Sequence, residues 1–103
     1  MNHEQEMYEI ILHAGNARAF AFEALDAAEA FDFAKAEELI KQADKALAEA
    51  HKTQTRLIQA ELNGQAGEKS LLMIHAQDHL MTAMSEQKLI ERMIRLVKKL
   101  KES

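Results

Sequence analysis

No proline occurs anywhere in this 103-residue chain, and two of its three glycines fall in one short segment, Asn63-Gly64-Gln65-Ala66-Gly67. Proline ends helices by lacking an N–H, and glycine by freeing the backbone for other conformations. A chain with a single cluster of such residues folds into a few long helices and into little else. Ala, Leu, Glu, Lys and Gln, all strong helix formers, dominate the composition, and β-branched residues are few. The length suits one domain covering residues 1–103.

Apolar spacing sets the helix boundaries. From about Glu4 to Ala30, the residues Met7, Ile10, Ile11, Ala14, Ala17, Ala21, Leu25 and Ala28 recur three or four apart, which makes one buried stripe. Phe31-Asp32-Phe33 interrupts that pattern, and Asp32 is placed to cap a second helix from about Phe33 to Leu62. The glycine segment then separates a third helix, about Glu68 to Lys101. Short connections between helices of this length predict an all-α, antiparallel up-down-up three-helix bundle. Alanine is so frequent in the first two helices that their axes can approach closely, but bulky core residues are scarce. A monomer of that kind is marginal, so self-association is expected.

On a wheel of 100° per residue, Leu72, Met73, Ala76, Leu80, Ala83 and Met84 share one arc of the third helix, assigned to the core. A different line, Leu71, His75, Asp78, Thr82, Ser85 and Leu89, alternates spacings of four and three, as a coiled-coil seam does. Ile74 and Met81 flank Asp78 on this face, and after a one-residue slip the seam continues as Met93, Leu96 and Leu100. The same spacing also suits polar residues facing solvent beside a partly covered stripe. If the seam is a three-fold axis, three copies of Asp78 converge there. Like charges so close need protonation or a cation, and carboxylate oxygens favour Mg²⁺ or Ca²⁺ over zinc.

Several classes are disfavoured. A formal charge of −4 argues against a nucleic-acid partner, and the basic run from Arg92 to Lys101 reads as a solvated helix end that complements the helix dipole. With no cysteine there is neither a disulfide framework nor a thiol nucleophile. Met1 to Glu9 is polar and acidic, and no stretch approaches the roughly 20 apolar residues of a membrane span, so a cytoplasmic protein without membrane insertion is expected.

His75 and His79 stand one turn apart with Asp78 between them. A zinc hydrolase motif would need glutamate after the first histidine, where this chain has Ala76. A di-iron bundle would need Glu three residues before a histidine, which none of His3, His13, His51, His75 and His79 has. No glycine-rich phosphate loop and no serine elbow occurs. A neutral imidazole with a carboxylate and the Gln77 amide nearby is, however, a competent phosphoryl acceptor, since one ring nitrogen attacks while the other fixes the tautomer. From spacing alone, a non-catalytic helical oligomer or adaptor stands beside that reading.

The stretch Ile74-His75-Ala76-Gln77-Asp78-His79-Leu80-Met81-Thr82 contains His-Ala-Gln-Asp-His-Leu-Met, which resembles the signature of the lactose/cellobiose-type enzyme IIA family of the sugar phosphotransferase system. Met7 to Ala24 is similar to the first helix of that family. The resemblance implies a homotrimer around a central divalent metal ion, with His75 carried as tele-phosphohistidine and Asp78 the metal ligand from each subunit. Gln77 and His79 match the motif as supporting neighbours. The implied partners are the histidine phosphocarrier protein, as donor, and a cysteine of the cognate IIB component, as acceptor. The sugar would be a disaccharide, cellobiose-like or lactose or chitobiose, bound by another component.

Overall fold

The computed structural model describes residues 3–65 and 70–103, and these form three α-helices. They are α1 (Glu4–Glu29), α2 (Phe33–Leu62) and α3 (Leu71–Glu102). The first two match the boundaries expected from apolar spacing to within a residue. The start expected for the third at Glu68, and the Ala66-Gly67 half of the glycine segment, lie outside the described residues.

The ends of the helices are local chemistry. Asp32 caps α2 as expected, its Oδ1 accepting from the Lys35 N–H at 3.1 Å. Ser70, which the sequence reading passed over, caps α3 by accepting from the Met73 N–H at 3.2 Å. Gly64 takes a positive φ of 75° in the turn after α2, where only glycine is unstrained. The end of α1 is less usual. The Asp32 N–H donates back to the Ala27 carbonyl and the Phe31 N–H to the Ala28 carbonyl, both at 2.9 Å. This pairing requires a left-handed residue at position 31, normally glycine, and here Phe31 takes it with φ 64°.

Contacts across the bundle record how the chain runs. Gln54 meets Gln77 and Asp44 meets Gln87, so residue numbers fall along α2 as they rise along α3. Ser70 lies against Met7, and Lys101 stands over the Phe31 ring, so the starts of α1 and α3 lie together, as do their ends. His3 fastens the start of α1 by donating from Nε2 to the Gln65 carbonyl at 3.1 Å.

α1 is the central packing element, and α2 and α3 touch each other far less than either touches it. Near the glycine turn the core joins Met7, Ile10, Ala14, Ala50, Leu57, Ala76, Leu80 and Ala83. Farther along, alanines take over: Ala24, Ala28, Ala36 and Ala43 are almost wholly enclosed, and among the buried apolar side chains described there only Leu39 and Ile90 add bulk. Alanine lets helices approach but removes little apolar area from water, at roughly 25 cal/mol per Å².

The resulting rod measures 56 × 20 × 16 Å. Its radius of gyration is 16.2 Å, where a compact domain of this length would have about 13 Å. The accessible surface is 6902 Å², against about 5,900 Å² for a typical monomer of this mass. The shape leaves more surface in water than a self-sufficient chain of this size normally does.

Candidate functional site

On α3 the expected core arc is buried or half-buried: Ala76, Leu80 and Ala83 are enclosed, and Leu72, Met73 and Met84 pack against them. The other face is open. Leu71, Ile74, Met81, Leu89, Met93, Leu96 and Leu100 are all exposed, and His75 and Asp78 stand among them. Among the described residues nothing covers this strip.

The motif residues divide into two groups. His75 and His79 come together, as an i, i+4 pair should: their rings stack with centroids 5.9 Å apart and planes 4° from parallel. His75 is exposed, and among the described residues no hydrogen bond to its ring nitrogens is formed. Gln77 is not brought to His75. It is two residues, and therefore about 200°, around the helix, and its Oε1 accepts from Gln54 of α2.

His79 is half-buried between α3 and α1, and residues remote in sequence hold it. Arg18 of α1 places Nη1 at 3.2 Å from His79 Nδ1. The same guanidinium grips Glu86 with two bonds, Nε to Oε1 at 2.6 Å and Nη2 to Oε2 at 3.1 Å. Arginine can only donate, so Nδ1 of His79 accepts and the ring proton belongs on Nε2. Burial, then the Arg18 charge, then His75 lower the His79 pKa from its ordinary 6.5, while Glu86 and Asp78 oppose them. His79 is thus neutral at pH 7 and presents one N–H.

Arg18, Glu86 and Gln54 were missed by sequence reasoning, because charged and amide residues on amphipathic helices are ordinary. One signal was available. Gly15 lies inside α1, where glycine costs about 1 kcal/mol relative to alanine, and such a residue often marks a close approach. Here that neighbour is His79, whose Nε2 is 3.5 Å from where a Gly15 Cβ would stand.

The arrangement suits transfer between proteins better than catalysis inside a pocket. A groove of about 660 Å³ does open between α2 and α3, but it lies at the opposite half of the rod, among Phe33, Ile40, Ile94 and Arg95. His75 sits on open surface instead, within reach of another protein's reactive group. For a metal ion, no group of three His, Cys, Asp or Glu side chains is gathered among the described residues. Asp78 offers hard carboxylate oxygens on the exposed strip, and one such carboxylate does not by itself make a divalent-cation site. No described helix is long and apolar enough to cross a membrane.

Residues 5–98 match the family described as PTS system, lactose/cellobiose specific IIA subunit. Among curated relatives, the chain is 44% identical to the lichenan-specific phosphotransferase enzyme IIA component of Bacillus subtilis, over 99% of this chain and 94% of that protein. Its fold is similar to the crystal structure of the PTS cellobiose-specific enzyme IIA from Bacillus anthracis, with a TM-score of 0.95 and 45% identity over 100% of this chain and 95% of that one. It also superimposes on the IIA(Chitobiose) of Escherichia coli, solved in complex with HPr, with a TM-score of 0.85 and 40% identity over 98% of each chain.

Proposed function

Since the chain belongs to the lactose/cellobiose-specific IIA family of the sugar phosphotransferase system, we propose that it is a cytoplasmic phosphoryl carrier, with His75 as the residue that is phosphorylated. The observation that carries this reading is the pairing of an exposed, unfastened imidazole with a second one held firmly in place. A carrier needs its nucleophile open to two partners in turn, and its surroundings fixed beforehand.

In the first transfer, Nε2 of His75 attacks the phosphorus of the donor phosphohistidine. The donor N–P bond breaks with its electron pair left on the donor ring, the new N–P bond forms, His75 releases the proton of Nδ1, and the donor ring takes one up. In the second, a cysteine thiolate of the cognate IIB component attacks the same phosphorus, the bond to Nε2 breaks, an S–P bond forms, and His75 regains a proton. The donor in this scheme is the histidine phosphocarrier protein, the kind of partner with which the chitobiose IIA was solved. His79 supports the transfer as a neutral donor beside His75, and Gln77 supports it from across α3, by tying that helix to Gln54. Sugar specificity, whether for a cellobiose-like disaccharide, lactose or chitobiose, resides in another component.

The same reading makes the working unit a homotrimer of up-down-up bundles. The exposed strip of α3 is then its seam, and three Asp78 carboxylates would hold a divalent cation, Mg²⁺ by preference. Bound there, the ion would offset two of the three carboxylate charges and so relieve most of their mutual repulsion.

The test is intact mass after incubation with phosphoenolpyruvate, enzyme I and the histidine phosphocarrier protein, beside a His75→Ala control. One acid-labile phosphoryl group per chain, missing from the control, is expected. An unchanged mass with demonstrably active carriers would leave the chain as a helical adaptor.

A further inference from the structure

Both nitrogens of the His79 ring are met by one face of α1. Gly15 and Arg18 are three residues apart on that helix, so they are neighbours on its surface. Arg18 takes Nδ1, at 3.2 Å. Nε2 looks onto Gly15, and among the described residues it is the only atom within 4 Å of where a Gly15 Cβ would stand, apart from the chain neighbours and the helix backbone. The mid-helix glycine therefore leaves a notch, one wall of which is the Nε2–H of His79.

Arg18 itself is not free to choose another partner. Its Nε and Nη2 are committed to the two oxygens of Glu86, from the same helix as His79 and two turns farther on. Such a fork fixes the plane of the guanidinium, which a lysine ammonium cannot do. What remains is Nη1, aimed at the imidazole.

The consequence lies in which proton His79 shows. A neutral imidazole without a fixed partner divides its proton between the two nitrogens. With the proton on Nδ1, the bare Nε2 lone pair would face the notch and repel an anionic phosphoryl oxygen. With a donor held at Nδ1, the proton stays on Nε2 and the notch is lined by an N–H. We infer that Arg18, locked by Glu86, is a positioning residue for phosphoryl transfer: it holds His79 as the Nε2–H tautomer, a fixed donor to phosphoryl oxygens entering the notch at Gly15 beside His75. This rests on the reading of His75 as the carrier.

Three variants separate this role from that of a simple tie between α1 and α3. Arg18→Met removes the donor. Arg18→Met/Glu86→Met removes both partners, so no carboxylate is stranded if the single variant folds poorly. Gly15→Leu leaves the fork alone and fills the notch. Each is checked for helix content and melting, then examined in two ways: by ¹⁵N–¹H correlation of labelled histidine rings at a pH where they are neutral, and by single-turnover phosphorylation at His75.

The wild type should show His79 as Nε2–H alone, and both methionine variants a mixture of tautomers. Transfer should slow by about tenfold in these variants, less than the ~10²–10³ that follows outright removal of a transition-state donor. Gly15→Leu should keep the tautomer and still slow transfer by a similar factor. Folded methionine variants that retain a pure Nε2–H tautomer, or that accept phosphate at the wild-type rate, would overturn the assignment of Arg18 alone. A wild-type chain that takes no phosphate would overturn the carrier reading and this inference with it.

Discussion

The inner and outer faces of α3 use similar apolar side chains under opposite conditions. Ala76, Leu80, Ala83 and Ile90 on the inner face are at most 3% exposed, whereas Leu71, Ile74, Met81, Leu89, Met93, Leu96 and Leu100 on the outer face are between 47 and 84% exposed. The inner face is covered because α1, with its small residues, lies close against it. The outer face has no such neighbour among the described residues, and so many exposed apolar side chains on one face, here interrupted by His75, Asp78, Thr82 and Ser85, are rare on a protein that works alone. Hydrophobicity decides that a face will be covered, and the placing of neighbours decides by what.

The contrast breaks first at Leu80, which is wholly buried beside Ile10. Leu80→Ala should cost about 2–5 kcal/mol, since the lost transfer energy and the cavity both count. Leu89→Ala on the outer face should change the stability of an isolated chain by no more than about 0.5 kcal/mol. Urea denaturation at concentrations too dilute for assembly measures both, and equal losses would dissolve the distinction between the faces.

A smaller effect is expected where the end of α3 reaches the α1–α2 turn. Phe31 holds a left-handed backbone, and Lys101 over its ring, 5.0 Å from the centroid, offsets that strain only in part. Phe31→Gly should raise stability by about 1 kcal/mol, the order of the steric penalty for a side chain in that region. A lower melting temperature would mean that the ring contributes more than its backbone costs.

Glu91 lies at the edge between the faces. Burial first and the nearby Asp44 second raise its pKa, against the weaker pull of Arg95 and Lys88. The folded chain thus binds that proton more tightly than the unfolded one, so stability present at low pH is lost as pH rises from about 4.5 through the folded value. Glu91→Gln should flatten that decline in denaturation midpoints followed between about pH 4 and 7. An unchanged slope would assign the decline to other carboxylates.

The least costly change to one chain should have the clearest consequence for assembly. Leu89→Asp should leave helix content unchanged by circular dichroism, and on the trimer reading proposed above a charge in the outer strip should shift the sedimentation coefficient towards that of a single 11.7 kDa chain. If the species in solution is unaltered, the strip serves something other than self-association.

Much of this was legible in the sequence. The helix boundaries, the Asp32 cap and the inner arc of α3 follow from interactions between residues three or four apart, and the His75 motif was visible as a string of residues. The Ser70 cap could have been read by the same rule. Gly15 was visible as an anomaly, though not what it faced.

What the sequence by itself determined is therefore local: that the chain is helical, where it bends, which face of the first and third helices turns inward, and that His75 and His79 meet. The tertiary structure alone decided that Arg18 and Gly15 meet the two nitrogens of His79, that Glu86, 68 positions from Arg18, locks the arginine, and that Gln77 turns to Gln54 instead of His75. Those pairings depend on how far α1 and α3 rotate and slide against one another. That setting comes from the packing of alanines and a few larger side chains over the whole interface, and no local periodicity encodes it.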